Sequence, residues 1–427
     1  CRDGALEGWS TTSRKGRGIL PRVATSTVPA ITSLVLENVR VFRARTEIPL
    51  GRLTLLGGAN SSGKSSAMLG ALLLKQTLDS TFDPGPLLLR GGHVELTSFD
   101  QLRARGARGP VVVGVSTSEG HSLEVAFERD DGGEIDVVES RSRGPRGPAA
   151  TLRRGGTWQR RPIARDRFLL GKVLARSGEV GVPPSAFLAT RALASLLHIP
   201  GLRTPPLRDY PLTATGDTFD GRFDRYVASV VLEWQKQKDV RLGHVGRDLK
   251  TLGLTWKVHA ERRGDTSVAL RVGRLPAGTQ GGARDLVEIA DVGVGVSQAL
   301  PVVVALHRAL PGQVVYVEQP ELHLHPRAQH AMAGLLVGAA ARGVRVVVET
   351  HSSILLLGVQ SAALAHEQLD AGDVCLNWFE RDGRGWTRVH TATLDDHGAL
   401  EGAPLDFDDV ELEAHRAYLD VVESNRR

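Results

Sequence analysis

The stretch that decides the fold is residues 58–65, which read Gly-Ala-Asn-Ser-Ser-Gly-Lys-Ser. It fits the phosphate-binding pattern G-x-x-x-x-G-K-[ST] at every position. The two glycines permit a backbone path that points N–H groups at phosphate oxygens. The lysine reaches the β- and γ-phosphates, and the last serine can ligate Mg²⁺. An apolar strand is predicted before the loop at Leu53–Leu56, and an Ala- and Leu-rich helix after it at Lys64–Leu78. The sequence therefore predicts a site for a nucleoside triphosphate.

We expect this loop and the start of its helix to hold the nucleotide, with Ser65 also contacting Mg²⁺. A Gly-rich turn without phosphate chemistry is the alternative interpretation. The residues assigned to nucleotide binding here are Gly58, Asn60, Ser61, Ser62, Gly63, Lys64, Ser65 and Ser66.

The composition of the 427-residue chain is that of an ordinary globular protein, with 41% apolar and 24% charged residues. The longest uncharged apolar stretch, 328–341, is shorter than the roughly 20 residues of a membrane span, so we expect no membrane partner. The two cysteines, Cys1 and Cys375, cannot build a disulfide framework and predict a reducing cytoplasm. The net charge of +5 suggests an acidic partner such as nucleic acid. The excess of Arg over Lys, however, first indicates a GC-rich genome.

The pattern of strands and helices predicts four parts. Residues 1–30 lack hydrophobic periodicity and are expected to be a disordered leader, although the true start is expected elsewhere because the chain begins with Cys. Residues 31–140 are expected to form an N-terminal lobe, 141–283 an inserted arm or lid, and 284–427 a C-terminal lobe. Strand and helix alternate through the last part, which indicates a parallel α/β sheet.

Three further motifs lie in the C-terminal half. Residues 314–321, VVYVEQPE, are a buried-strand run that ends in carboxylates, as needed to hold Mg²⁺ at the carboxyl edge of a sheet. Residues 346–352, VVVETHS, are a second such strand ending in a histidine. Residues 291–298, DVGVGVSQ, are a Gly-rich turn that leads into an apolar helix.

Along the chain the four motifs follow one another as 58–65, 291–298, 314–321 and 346–352. In this order they resemble the ABC-type ATPase heads of the SMC, RecF and OLD families. The likeness is greatest to stand-alone bacterial "AAA family ATPase" proteins related to OLD proteins. Residues 36–39 (LENV) with Phe42 resemble their N-terminal strand. Residues 318–326 (EQPELHLHP) resemble their Walker B and D-loop, and 198–203 (HIPGLR) with 208–211 (RDYP) resemble another of their loops. The resemblance implies an α/β fold: a P-loop NTPase head of ABC/SMC type, with a mixed sheet flanked by helices and an inserted helical–β arm.

The resemblance also implies roles for individual residues. ATP and Mg²⁺ are the expected cofactors, and Glu318 is the expected Walker B metal ligand beside Ser65. The Gly-rich turn 291–298 corresponds to the signature loop of these ATPases. Its Ser297 would touch the γ-phosphate bound by a second subunit, and His351 would sense that phosphate. Two copies of the chain are therefore expected to dimerise on ATP.

One departure from the family concerns catalysis. The general-base glutamate that usually follows the Walker B acid is replaced by Gln319. An amide can orient water but cannot accept its proton. Either Glu321 takes over through a water molecule, or the protein is a slow switch that binds ATP and rarely hydrolyses it.

Several residues have more than one interpretation. Glu321, His323 and His325 alternate in sequence and could bind a metal, or lie in a D-loop that binds none. His351 could instead be a buried histidine. The basic stretch 141–172, with Trp158, could contact nucleic acid or form a solvated loop. Arg203 and Arg208 are further candidates for nucleic-acid contact.

The resemblance implies a cytoplasmic ATPase in DNA-related or anti-phage defence processes, with DNA or RNA as a partner. OLD nucleases carry a C-terminal nuclease domain, whereas the residues after His351 contain no acid cluster resembling one, so the resemblance implies a separately encoded nuclease as the effector. A non-hydrolysing scaffold, a transporter ATPase subunit and a P-loop kinase stay as alternatives. The interval between the phosphate loop and the signature loop is longer than we expect of a transporter.

Overall fold

The computed structural model describes residues 28–158, 161–173, 180–274 and 285–401. The predicted leader, apart from residues 28–30, lies outside this part of the chain. Among the described residues, no helix has both the length and the apolar character that a bilayer crossing requires.

Strands and helices alternate along the chain. The strands are β1 (Ile31–Glu37), β2 (Thr46–Pro49), β3 (Leu53–Gly58), β4 (Val111–Thr117), β5 (Ser122–Arg129), β6 (Ile135–Arg143), β7 (Ala150–Arg153), β8 (Thr157–Trp158), β9 (Arg161–Asp166), β10 (Leu169–Val173), β11 (Val180–Gly181), β12 (Leu197–Ile199), β13 (Tyr210–Pro211), β14 (Val258–Arg263), β15 (Ser267–Gly273), β16 (Leu286–Glu288), β17 (Val314–Glu318), β18 (Arg345–Glu349), β19 (Val374–Arg381), β20 (Thr387–Leu394) and β21 (Leu400–Glu401). The helices are α1 (Lys64–Asp79), α2 (Pro184–Ala194), α3 (Val227–Gln237), α4 (Val240–Thr251), α5 (Val294–Arg308), α6 (Pro326–Ala341) and α7 (Ser353–Leu364).

A seven-stranded mixed sheet carries the predicted motifs, in the order β12-β17-β18-β3-β19-β20-β21. The first five strands are parallel, and the last two pair antiparallel. β18 lies between β3 and β17, and the register places Glu318 beside Glu349 and Glu349 beside Leu56. The mixed sheet flanked by helices confirms the predicted fold class. Parallel strands collect their carboxyl ends at one edge, which is where ligands bind in such sheets.

Three smaller sheets surround this one. A six-stranded antiparallel sheet has the order β2-β1-β4-β5-β6-β7, and a four-stranded antiparallel sheet has the order β11-β10-β9-β8. β15 pairs with β13, β14 and β16 in a third sheet.

The pleat of the seven-stranded sheet divides the core into two. Val315 and Val317 of β17 pack with α3 to α7, whereas Val314 and Tyr316 pack on the other face with α1 and the six-stranded sheet. Helix α1 is therefore covered on nearly all sides. This explains its Ala- and Leu-rich sequence, which lacks a polar face.

Two predictions about local structure were wrong. The hydrophobic pattern of residues 31–41 predicts one continuous strand, but β1 ends at Glu37, because Asn38 and Arg40 adopt positive φ angles of 57° and 45°. The described part of the basic stretch 141–172 is not one continuous loop: it includes the end of β6 and strands β7 to β10, joined by mostly exposed turns.

The division at 1–30, 31–140, 141–283 and 284–427 stays a prediction. Two observations bear on its boundaries. β6 continues to Arg143 across the expected boundary, since it pairs with β5 on one side and β7 on the other. β12 lies within the predicted arm in sequence but joins the seven-stranded sheet beside β17.

A buried polar network ties the last turn of α1 to its surroundings. The Lys75 ammonium donates to Asp79 Oδ1 at 2.9 Å and to the carbonyls of Ala194 and Phe219 at 3.1 and 2.9 Å. Asp79 Oδ2 lies 3.1 Å from His93 Nε2 and accepts the N–H of Gly221 at 3.0 Å. Burial lowers the pKa of His93 to about 4, although Asp79 opposes the shift. His93 is therefore neutral at pH 7.

We predict that Lys75→Met destabilises the protein by about 3 kcal/mol, because the ammonium leaves a buried carboxylate and two carbonyls without their donor. Urea unfolding of the full chain measures the loss. Lys236→Met is the matched control, since Lys236 is exposed and its loss should change stability by no more than about 0.5 kcal/mol. Equal unfolding midpoints for the two variants would contradict the role of the network.

We also predict that stability falls as the pH drops below about 6.5. Unfolded His93 binds a proton near its ordinary pKa of 6.5, whereas the folded residue binds one only near 4. Between these values the unfolded state binds more protons, so stability decreases by about 1.4 kcal/mol per pH unit as the pH falls.

His93→Gln should flatten this dependence, and His397→Gln, at an exposed site, should leave it unchanged. Urea midpoints at pH 6.5 and pH 5 make the comparison. A wild-type slope that survives in His93→Gln would show that other groups cause it.

Candidate functional site

The phosphate loop is shaped by two glycines with left-handed backbone. Gly58 has φ +132° and Gly63 has φ +114°. A Cβ atom on Gly58 would collide with the carbonyl oxygen of Phe379 on β19, and one on Gly63 would lie 2.7 Å from Val41 Cγ2. Both positions therefore require glycine for conformation and for space.

The loop presents donors towards the cleft above it. Gly63 caps α1 without a side chain, and the first turn of α1 contains no acid. The N–H groups of this turn have no partner within the helix and favour an anion. The Lys64 ammonium lies 2.8 and 2.7 Å from the carbonyl oxygens of Gly58 and Ala59. Burial lowers the pKa of Lys64, and the charge of Glu349 raises it in part.

The cleft has a volume of about 880 Å³, which is typical of small-molecule sites. The structure brings most of the predicted nucleotide residues together with residues from the ends of β17 and β18. The predicted residues that line it are Asn60, Ser61, Ser62, Gly63, Lys64, Ser65, Ser66, Gln319 and His351. Arg40, Arg381 and Glu349 also line it.

Glu349 is a further candidate site residue to which the sequence motifs assigned no role. Ser65 Oγ donates to Glu349 Oε1 at 2.8 Å, and the Tyr316 hydroxyl donates to Oε2 at 3.0 Å. Burial raises the pKa of Glu349, the hydrogen bond from Ser65 lowers it, and the charge of Glu318 raises it again, so the pKa lies above its ordinary value. Its position at the end of β18, matching that of Glu318 on β17, is the signal that could have identified it.

The Glu318 carboxylate has partners other than Ser65. Its Oε1 lies 3.1 Å from His198 Nε2, and its Oε2 accepts the N–H of Gly201 at 2.9 Å. Burial raises the pKa of Glu318, but the hydrogen bond and charge of His198, together with hydrogen bonds from Gly201 and Tyr316, outweigh burial, so the pKa lies below its ordinary value. In this structure Ser65 contacts Glu349, and the role of Glu318 as metal ligand stays a prediction.

His198 connects Glu318 to the buried network of α1. Its Nδ1 lies 3.1 Å from Nδ1 of His93, which in turn contacts Asp79. One of the two Nδ1 atoms must carry the proton for this contact to be a hydrogen bond. A continuous buried chain therefore runs from the last turn of α1 to the acid at the end of β17.

Gln319, Glu321 and His351 lie side by side at the sheet edge and line a second, adjoining pocket. Glu321 Oε1 accepts the Thr350 hydroxyl at 2.8 Å and the N–H of His351 at 2.9 Å. The side chain of His351 is exposed, so the alternative of a buried histidine is wrong. Burial and the charge of Lys64 lower the pKa of His351.

The alternative metal site at Glu321, His323 and His325 is wrong. Glu321 points to the end of β18, His323 is exposed, and His325 Nδ1 accepts the N–H of Arg327 at the start of α6. Within the described ranges, no three His, Cys, Asp or Glu side chains are arranged to hold a metal ion.

Ser297 and the two arginines lie outside the cleft. Ser297 is buried in the first turn of α5, where its Oγ donates to the carbonyl of Val294 at 2.9 Å. Arg203 is only 6% exposed and donates to the carbonyl oxygens of Glu318 and Gln319 at 2.8 and 3.2 Å. Burial lowers its pKa to about 10. Arg203 therefore supports the Walker B turn, and its predicted contact with nucleic acid is wrong.

The other predicted nucleic-acid contacts have intramolecular partners. Arg208 is exposed and pairs with Glu288 and Asp291, each at 2.7 Å. In the basic stretch, Arg141 and Arg153 both bind Glu139. Lys172 lies 5.3 Å from the centre of the Trp158 ring. Nucleic-acid contact through these residues stays a prediction.

Comparison with known proteins gives one family match and several similar structures. Residues 264–357 match the family model described as "AAA domain, putative AbiEii toxin, Type IV TA system". No curated protein matches the chain.

Three of the similar structures are SMC head domains. The head bound to the C-winged helix domain of ScpA is 12% identical with a TM-score of 0.45, covering 86% of this chain and 99% of that one. The SMC head domain from Thermotoga maritima is 11% identical with a TM-score of 0.38, covering 84% and 98%. The Smc head from Pyrococcus furiosus, with an extended coiled coil and bound to the C-terminal domain of ScpA, is 10% identical with a TM-score of 0.41, covering 93% and 100%.

The family match includes the signature loop, the β17 motif and the β18 motif, and so covers the three elements that accompany the phosphate loop. Membership of the OLD-like group stays a prediction. The chain thus combines a loop of the P-loop nucleotide-binding pattern with a sheet in which β18 lies between β3 and β17, and its residues 264–357 are similar to an AAA domain.

Proposed function

We propose that the chain binds ATP with Mg²⁺ in the cleft above the phosphate loop and hydrolyses it slowly. The observation that carries this proposal is the 2.8 Å contact between Ser65 Oγ and Glu349 Oε1 at the start of α1. A hydroxyl and a carboxylate oxygen are the ligands that Mg²⁺ prefers. Their place beside the loop N–H groups and Lys64 fits a metal-bound triphosphate.

Mg²⁺, when bound, neutralises charge on the β- and γ-phosphates. The remaining work belongs to the chain. The N–H groups of the first turn of α1 bind phosphate oxygens. The Lys64 ammonium leaves the carbonyl oxygens of Gly58 and Ala59 and binds a phosphate oxygen instead. Gln319 orients the attacking water. His351, at the cleft edge, donates a hydrogen bond to the γ-phosphate. Because α7 begins two residues later, this contact couples the presence of the γ-phosphate to the position of that helix.

The weak step is removal of the proton from water. Gln319 cannot accept it. Glu321 Oε1 already accepts hydrogen bonds from Thr350 and His351, and its Oε2 is buried, so neither oxygen is both free and exposed to take a proton from water. This geometry favours the slow switch over a fast enzyme that uses Glu321 as its base.

We predict that wild type binds ATP with slow turnover and that Lys64→Ala weakens binding by at least about tenfold. Gln319→Glu should raise turnover about tenfold or more, because it restores a carboxylate next to the attacking water. Nucleotide titration and phosphate release measure these effects. Lys236→Ala, at an exposed site away from the cleft, is the control. Wild type that binds no ATP would overturn the proposal. Fast turnover abolished by Glu321→Gln would instead establish Glu321 as the base.

We propose further that two copies dimerise on ATP through the signature loop. Ser297 lies outside its own chain's cleft, and Val294, at the start of the same helix, is an apolar side chain that is 51% exposed. A second copy would cover Val294 and bring the N-terminus of α5 to the neighbouring nucleotide.

We predict that light scattering detects an ATP-dependent dimer of wild type that Val294→Arg prevents, while Val294→Arg still binds ATP. Leu364→Arg is the matched control, because Leu364 is similarly exposed at 47% on a different helix. A dimer that persists in Val294→Arg, or one lost equally in Leu364→Arg, would place the interface elsewhere.

We propose that this ATP-driven dimer acts in the cytoplasm in a DNA-related or anti-phage defence process, with a separately encoded effector such as a nuclease. The resemblance to OLD-like proteins and the matched family's description, which names a toxin of a type IV system, support this proposal. If wild type dimerises on ATP without turnover, the scaffold alternative replaces the enzyme.

A further inference from the structure

A cleft remote from the sheet edge lies between α3, α4 and the start of β14, and none of its lining residues belongs to the ATP cleft or to the pocket beside it. Its volume is about 490 Å³. Lys238 ends α3, Arg247 and Lys250 lie on α4, and Lys257 precedes β14. The ATP-binding function leaves this cleft unexplained.

The cleft carries net positive charge that its surroundings do not neutralise. Lys238, Arg247 and Lys250 are exposed and Lys257 is half-buried. Across the described ranges, none of the four forms an ion pair. Four uncompensated cations around one concave surface attract an anion.

The nearby acids have other partners. Asp239, the only acid in the lining, is held by Arg241 at 2.5 Å. Asp248 on α4 pairs with His307 at 2.6 Å, and Asp285 accepts the indole N–H of Trp256 at 3.2 Å. These carboxylates therefore leave the four cations available.

An aromatic ring is fixed in the same cleft. The Trp256 indole is half-buried, is held at its N–H by Asp285, and packs so closely on Gly273 that a Cβ there would overlap the ring. The Lys257 ammonium lies 5.5 Å from the ring centre. A rigid indole beside cations is the arrangement on which unstacked bases of nucleic acids are held.

Two glycines keep the cleft open. Gly243 and Gly246 lie three residues apart on one face of α4 and line the cleft. A Cβ on Gly243 would meet no atom within 4 Å, so packing does not require glycine there. Glycine weakens a helix relative to alanine. Its position in the cleft wall leaves room that a larger side chain would fill.

We propose that this cleft binds a single strand of nucleic acid, with Lys238, Arg247 and Lys250 on its phosphates and a base against Trp256. A duplex keeps its bases stacked inside the helix and could not use the indole. The inference rests on the proposed nucleic-acid role of the protein and gives that role a place and a strand form. It does not require ATP hydrolysis.

The test is fluorescence anisotropy of the full chain with a labelled oligo(dT) strand, the matching oligo(U) strand and a hairpin duplex of the same length. We expect Lys250→Glu to weaken single-strand binding by about tenfold and to reduce the salt slope by about 1. Lys236→Glu changes the charge of the chain equally, but Lys236 does not line the cleft, so its effect should stay within about twofold.

Gly243→Trp and Gly243→Ala separate the cleft from surface charge. Both place a side chain at an open helix position, and only the tryptophan fills the cleft, so only Gly243→Trp should abolish binding. ATP binding should be the same in all four variants. If nucleic acid binds but ATP does not, the proposed function fails while this inference stands.

Three results would overturn the inference. The first is that wild type binds neither single strand, and the second is that Lys250→Glu and Lys236→Glu weaken single-strand binding equally. The third is that wild type binds the duplex more tightly than the single strands and that Gly243→Trp does not reduce this duplex binding.

Discussion

The structure depends on how α1 is held, because its N-terminus must open into a cleft while the rest of the helix is buried. The helix packs between the seven-stranded and six-stranded sheets. The ion pair of Lys75 with Asp79, and the bonds of Lys75 to two backbone carbonyls, anchor its last turn in addition. A helix of this length is about 24 Å long and stiff. Fixing its last turn therefore fixes the N–H groups of its first turn.

The same buried chain extends to the sheet edge. Asp79, His93 and His198 connect α1 to Glu318, and each link measures 3.1 Å. Moving Glu318 would break its hydrogen bond with the buried His198, and a buried polar group left without its partner is costly. Glu318 and the phosphate loop are thus positioned by one network, although β18 separates their strands.

The sequence was most informative where chemistry is local. The phosphate loop, its strand and its helix follow from eight consecutive residues, and the order of motifs indicated the sheet. Contacts between distant segments could not be predicted in this way. Glu349 lies beside Ser65 only because β18 is inserted between β3 and β17, and His198 reaches Glu318 only because the short strand β12 joins that sheet.

The basic stretch illustrates a second limit. In sequence, residues 141–172 contain almost no acids and resemble a solvated loop. The acidic residues that pair with these basic side chains lie outside the stretch. Glu139 of the same antiparallel sheet binds Arg141, and Asp83, beyond α1, binds Arg165. Charge balance in this stretch is a property of the fold, so composition alone does not show which of its basic residues have acidic partners.

The two carboxylates at the sheet edge show how the fold prepares the site for charge. Glu318 and Glu349 are neighbours in register, and two buried anions side by side repel each other. His198 and the N–H of Gly201 stabilise the charge of Glu318, whereas Glu349 has mainly hydroxyl partners and a raised pKa. Of the two carboxylates, Glu349, next to Ser65 and Lys64, is therefore the one whose negative charge is less well stabilised. A cation bound there would relieve this repulsion, so metal and nucleotide binding should support each other at this edge of the sheet.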